Sequence, residues 1–230
     1  MPRSIAIDGP AGAGKSTIAK KVSTSLGFIY LDTGAMYRTV ALKAIRSGID
    51  TKDHNQLAEM MDKLKISISH ENNKQRIFLD SEDVSDAIRT DEVSIGASNV
   101  AVFPEVRLKM VDLQRKIASD TNVVMDGRDI GSYVLPDAEL KIFLTASVDE
   151  RAKRRYEELH RRGQTVSFEA VRDDMIYRDN NDSSRAFAPL VKVADAIEID
   201  STLLTIDEVV EKILYFYKNY ANIKAEEFDT

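Results

Sequence analysis

Gly9-Pro10-Ala11-Gly12-Ala13-Gly14-Lys15-Ser16 fits G-x-x-x-x-G-K-[ST], the spacing of a loop that wraps a polyphosphate. The residue types state the chemistry. Gly9, Gly12 and Gly14 accept backbone angles that a Cβ would forbid, so successive N–H groups can turn inward around an anion at the positive end of the following helix. Lys15 is a cation able to reach β- and γ-phosphates, and the Ser16 hydroxyl is placed to ligate a magnesium ion bridging them. The stretch from Gly9 through Thr17 is therefore read as a nucleoside triphosphate site. A glycine-rich turn that fits by accident is the alternative, and the flanks argue against it. Ser4 to Asp8 reads as a buried strand, while Ile18, Ala19, Val22 and Leu26 follow at helical spacing until Gly27.

Such a loop has to be held by a sheet. Phe28 to Leu31 predicts a second strand ending in Asp32-Thr33-Gly34, with a helix from Ala35 to Ser47 behind it. Further strands are expected at Asn122–Met125, Lys141–Thr145 and Ala196–Ile199, giving about five parallel strands flanked by helices, an α/β P-loop fold with ligands beyond the strand carboxyl ends. That position favours Asp32, Thr33, Tyr37 and Arg38 as site residues, although Arg38 is equally compatible with a solvated helix face. From Thr51 to Ile88 the pattern changes to a short helix and a hairpin, KISISH and QRIFLD, read as a small insertion covering the side of the cleft away from the P-loop. Helices at about Asp91–Val102 and Pro104–Ser119 follow. Ser147 with Glu150 and Thr205 with Glu208 match the capping box, and Ile206, Val209, Val210, Ile213, Leu214 and Tyr217 form an apolar stripe.

Composition narrows the classes of function. Absence of cysteine excludes disulfides and thiolate metal sites and suits a reducing cytoplasm. A start that leads almost at once into the first strand leaves no room for a signal peptide, and no run approaches a membrane span, so a cytoplasmic, soluble chain without a membrane partner is expected. The net charge of -6 argues against a nucleic-acid partner. Against that acidic background Arg151, Lys153, Arg154, Arg155, Arg161 and Arg162 cluster, followed by Arg178 and Arg185. In a P-loop protein this pattern reads as a lid over residues 151–188, with Arg154 and Arg155 serving either the lid or its surface. A GTPase would need N-K-x-D, and a motor ATPase an acidic pair closing a strand; Asp126 is followed by Gly127. A small-molecule kinase needs neither.

GPAGAGKST, LDTGAMYR, ASNVA before FPEVR, DGRDIG, KIFLTAS with ERAKRR, and RDNNDSSRAFAPL together resemble the bacterial cytidylate kinases, from about Ser4 to Tyr220. Departures fall at Ser16, Asn181 and Ser183-Ser184. The resemblance implies one kinase domain over residues 1–220, with a core of 1–50, 104–150 and 189–220, a nucleoside monophosphate-binding insertion at about 51–103, the lid, and a frayed tail at 221–230. It implies phosphoryl transfer from ATP, with Mg2+, to CMP or dCMP by a monomer. Ser98, Arg107 and Asp129 would face cytosine. Arg38, Arg128 and Arg178 would face the acceptor phosphate, and Asp182 with Arg185 the sugar and nearby phosphate. Lys15, Arg128, Arg178 and Arg185 would be the catalytic cations, and Asp32 or Asp126 would orient magnesium through water. Asp129 pairing structurally with Arg107 or Arg128, and a nucleotide sensor without turnover, are the alternatives.

Overall fold

Five segments assemble into one sheet because their apolar residues are buried, on both faces for the inner strands and at alternate residues for Ile197–Asp200. In the computed structural model, which describes residues 2–71 and 74–228, β1 (Ser4–Asp8) lies at the centre of a parallel sheet. It is flanked on one side by β6 (Val123–Gly127) and then β2 (Ile29–Asp32), and on the other by β7 (Leu140–Thr145) and then β8 (Ile197–Asp200). The sheet has two apolar faces. Ile5 and Ile7 join Val22, Val209, Ile213 and Tyr217 on the face covered by α1 (Lys15–Leu26) and α8 (Ile206–Phe228). Ala6, Val123 and Met125 point the other way, toward Val111 on α5 (Pro104–Asp120) and toward Ile130 and Val134. The expected α/β class and its five strands stand as read, with ends moved by a residue or so.

Between β2 and β6 the chain builds the insertion. α2 (Thr33–Arg46) leads to α3 (His54–Lys63), the hairpin β3 (Ile66–Glu71) and β4 (Lys74–Leu79), a two-residue β5 (Glu82–Asp83), a 3-10 turn at Ala87–Arg89, and α4 (Asp91–Val100). Leu57, Met60, Ile77, Leu79, Val84 and Ile88 pack with Met36 and Val40 of α2 into one apolar cluster. Of these elements, the start of α2, Arg89 of the 3-10 turn and α4 face the cleft. The hairpin lies along the free edge of β2, where Gln75 and Ile77 share a small cavity with Ser16 and Lys20 of α1, so it sits nearer the P-loop than expected.

The lid is a pair of helices, α6 (Val148–Arg161) and α7 (Phe168–Ser184). Its polar run Asp179–Ser184 is helical, and Ser183 and Ser184 return their hydroxyls to the carbonyls of Asp179 (2.7 Å) and Asn180 (2.6 Å). Of the two capping boxes, Thr205 and Glu208 form theirs reciprocally. Ser147 caps Glu150, whose carboxylate turns to Arg154 instead. In the apolar stripe of α8, Ile206 is exposed and lines the cleft mouth. Helical backbone continues through the stretch to Phe228 expected to fray, and residues 229–230 lie outside the described residues.

Candidate active site

The strand ends open into a cleft of about 1210 Å³. The P-loop forms one wall. Gly9 is fixed by packing, since a Cβ there would lie 1.9 Å from the Leu144 carbonyl oxygen, and Gly12 adopts φ +75 against Arg151. Gly9 and Pro10 do not reach the cleft, whereas Ala11 through Thr17 line it. The Pro10 carbonyl has a separate use, accepting a 2.6 Å bond from Lys15 Nζ. Burial presses the Lys15 ammonium well below its ordinary pKa, and nearby Arg128 adds to the effect. The negative charge of a bound polyphosphate would oppose both influences by favouring the charged ammonium.

Ser16 Oγ donates to Asp126 Oδ2 at 2.9 Å, and Tyr30 holds the other carboxylate oxygen at 2.8 Å. Burial raises the Asp126 pKa, with Asp32 as the next cause. Asp32 itself is engaged elsewhere. It caps α2 through Ala35 N–H (2.8 Å) and pairs with Arg38 (2.8 Å), whose charge together with that of Arg89 outweighs burial and holds its carboxyl low. Ser16 and Asp126 thus make the better cation corner. The described residues hold no group of three or more ligating side chains, so most of a cation's oxygens would come from phosphate and water, which suits magnesium.

The opposite wall is a cage of guanidinium groups. Arg107, fully buried, donates to Asp129 Oδ2 and, at 3.2 Å, to the Ala101 carbonyl, while Arg185 reaches Asp129 Oδ1 at 3.4 Å. The pairing of Asp129 with Arg107 is therefore real, and both line the cleft. Tyr37 lies under the Arg107 guanidinium at 5.6 Å, and burial pushes its phenol up to about 12. Arg128 Nε binds Asp182 at 2.5 Å, and Thr33 Oγ1 donates to the Asp126 carbonyl at 2.7 Å. Ser98 Oγ accepts from Asn181 Nδ2 at 3.3 Å, and Tyr177 bonds Asn99 at 2.8 Å, so α7 closes on α4. Arg178 differs from these residues. It has no ion pair among the described residues, its Nε is buried without a hydrogen-bond partner, and burial lowers its pKa, followed by the charges of Arg155 and Arg128. An unpaired cation between other cations marks a place for an anion.

Of the lid arginines, Arg154 ties α6 to the Ser201 carbonyl at 2.6 Å, and Arg155 bonds Asp91 and Glu158 (2.8 Å). Several cleft residues carried no signal in the sequence, among them Arg89 and the loop Ser201 to Leu204. Asp8 did carry one, as a charge closing an apolar strand. Its two oxygens accept from Ile130 N–H (2.8 Å) and Gly131 N–H (2.7 Å), fixing the π-helical turn Ile130–Val134 directly behind Asp129.

Burial raises the Asp8 pKa to about 6 from 3.8, against those two N–H bonds. The stability it contributes is complete below about pH 4 and is lost as pH rises through about 6. Asp8→Asn leaves one N–H facing an amide donor, a loss of about 1–3 kcal/mol. Thermal unfolding should show the variant well below wild type at pH 4.5, with the gap narrowing by pH 8, where only wild type carries the buried charge.

A P-loop facing a cage of arginines beneath a helical lid defines a phosphotransferase of the P-loop kinase class. A gluconokinase from Sinorhizobium meliloti 1021 shares the fold, with TM-score 0.54 at 13% identity over 98% of this chain and 97% of its own. The family model for cytidylate kinase matches residues 5–219. A cytidylate kinase of Desulfitobacterium hafniense is 53% identical over 94% of this chain and 92% of its own length, and one of Caldanaerobacter subterraneus is 54% identical over 91% and 92%. The chain belongs to the cytidylate kinase family.

Proposed function

We propose that the chain transfers the γ-phosphoryl group of ATP to CMP or dCMP, giving ADP with CDP or dCDP. One observation carries this reading: a single cleft is lined by the P-loop, by the buried Arg107–Asp129 pair and by unpaired Arg178. ATP phosphates lie on residues 11–17, with Lys15 on the β- and γ-groups. Ser16 and Asp126 hold magnesium, which when bound neutralises charge on those phosphates. Arg38, Arg128 and Arg178 take the acceptor phosphate, while Ser98, Arg107 and Asp129 read the base, and Thr33, Tyr37, Asp182 and Arg185 complete its pocket. Cytosine offers an amine donor beside ring acceptors, which a carboxylate, a hydroxyl and a guanidinium complement. The acceptor phosphate is already an anionic nucleophile, so no general base is needed, and no histidine lines the cleft. The arginines spread the charge of the transferring group and exclude water.

The reading carries a cytoplasmic, monomeric enzyme without nucleic-acid partners, and no described helix is long and apolar enough to cross a membrane. A coupled assay for ADP release with CMP, dCMP, UMP, AMP and shikimate as acceptors tests it. CMP and dCMP should lead by a wide margin, and equal rates with AMP would overturn the assignment.

A further inference from the structure

β2 is an edge strand, hydrogen-bonded to β6 alone. Its outward backbone groups, the carbonyl of Tyr30 and the N–H and carbonyl of Asp32, have no sixth strand to meet. Two side chains of the hairpin meet them. His70 Nε2 lies 2.9 Å from the Tyr30 oxygen. Gln75 Oε1 accepts from Asp32 N–H at 2.7 Å, and its Nε2 donates to the Asp32 carbonyl at 3.3 Å. His70 and Gln75 are direct cross-strand partners in the β3–β4 register, so one rung of the hairpin forms the whole clasp.

A glutamine amide has the donor and acceptor of a peptide group, and here it makes the paired bonds a neighbouring strand would make. Asp32 is the residue so gripped, and its carboxylate in turn caps α2 and holds Arg38. We infer that Gln75 is a positioning residue for the reaction: by clasping the Asp32 backbone from the insertion, it sets the Asp32–Arg38 pair against the acceptor phosphate. The inference rests on Arg38 serving that phosphate, as in the function above. Gln75 itself does not line the main cleft.

The test uses the full chain with four variants: Gln75→Ala, Gln75→Glu, Arg38→Ala and the Gln75→Ala/Arg38→Ala double variant. Gln75→Ala should weaken CMP binding, measured calorimetrically without ATP, by roughly tenfold, a coupling through the loosened Asp32–Arg38 pair, while the KM for ATP stays at the wild-type value. Gln75→Glu should be worse, because its second carboxylate oxygen would face the Asp32 carbonyl acceptor to acceptor, adding repulsion where alanine only leaves a gap. In the Arg38→Ala background the Gln75→Ala effect should vanish, which a purely structural role would not produce. Unchanged CMP affinity, or equal losses with and without Arg38, would overturn the proposal. Amide hydrogen exchange at Asp32 should accelerate in Gln75→Ala whatever the acceptor is. Fast exchange alongside a wild-type enzyme that ignores CMP would therefore separate failure of the functional reading from failure of the clasp, and unchanged exchange would remove the clasp itself.

Discussion

Lys15→Ala should lower turnover by roughly 100- to 1000-fold, the usual loss when one electrostatic contact to a transition state is removed. CMP affinity in the absence of ATP should stay near the wild-type value, because Lys15 bonds the Pro10 carbonyl and none of the acceptor-side arginines. Folding should be little affected. The ammonium is held down first by burial and then by Arg128, so its removal takes away an unfavourable charge as well as a hydrogen bond. Single-turnover kinetics with CMP calorimetry would check this, and a collapse in CMP binding with turnover retained would mean that the two substrates do not occupy opposite ends of the cleft.

Asp129→Asn should show two effects at once. Asp129 is 4% exposed and faces Arg107, itself 0% exposed, so loss of its charge leaves a buried guanidinium without its counter-ion. Breaking such a pair outright costs about 3–5 kcal/mol; asparagine keeps one acceptor, so a loss toward the lower end is expected. For a chain of this length that lowers Tm by about 5–10 °C. The second effect concerns the base. An acceptor at Asp129 suits the cytosine amine and opposes the uracil carbonyl, whereas an amide can turn its donor to uracil. CMP turnover should fall while UMP turnover falls less or rises, narrowing the kcat/KM ratio by about tenfold, or 1.4 kcal/mol. Both nucleotides must be measured below the variant's unfolding range. Equal losses would make Asp129 a structural partner of Arg107 only.

Much of this was legible in the chain because the signals are local. A P-loop is one continuous stretch, the inner strands are mostly apolar runs, and Thr205 meets Glu208 within one helical turn. Lys15 and Arg178 could be singled out from their neighbours in sequence, and Arg128 only by resemblance. Long-range partners could not. Nothing around Gln75 announces that it will meet Asp32, 43 residues away, and nothing near Ser201 announces Arg154. The polar run before Arg185 read only as part of the lid; serine and asparagine are weak helix formers, and the packing of α7 on α4 and α6 outweighs propensity. The R-A-F-A-P-L segment was recognisable only by resemblance. Its physical logic needs the folded chain: Ala188 adopts φ 47, and its carbonyl takes a 2.6 Å bond from Arg185 Nε that aims the guanidinium at Asp129 and Asp182.

The account stands on direct transfer between two substrates held in one arginine-lined cleft. Incubation with γ-labelled ATP, magnesium and CMP, followed by separation of products, tests that claim most directly. The label should appear in CDP, with release of inorganic phosphate slow by comparison whether or not CMP is present. Label found mainly as inorganic phosphate at a rate indifferent to CMP, or tight binding of both nucleotides with no transfer, would contradict it.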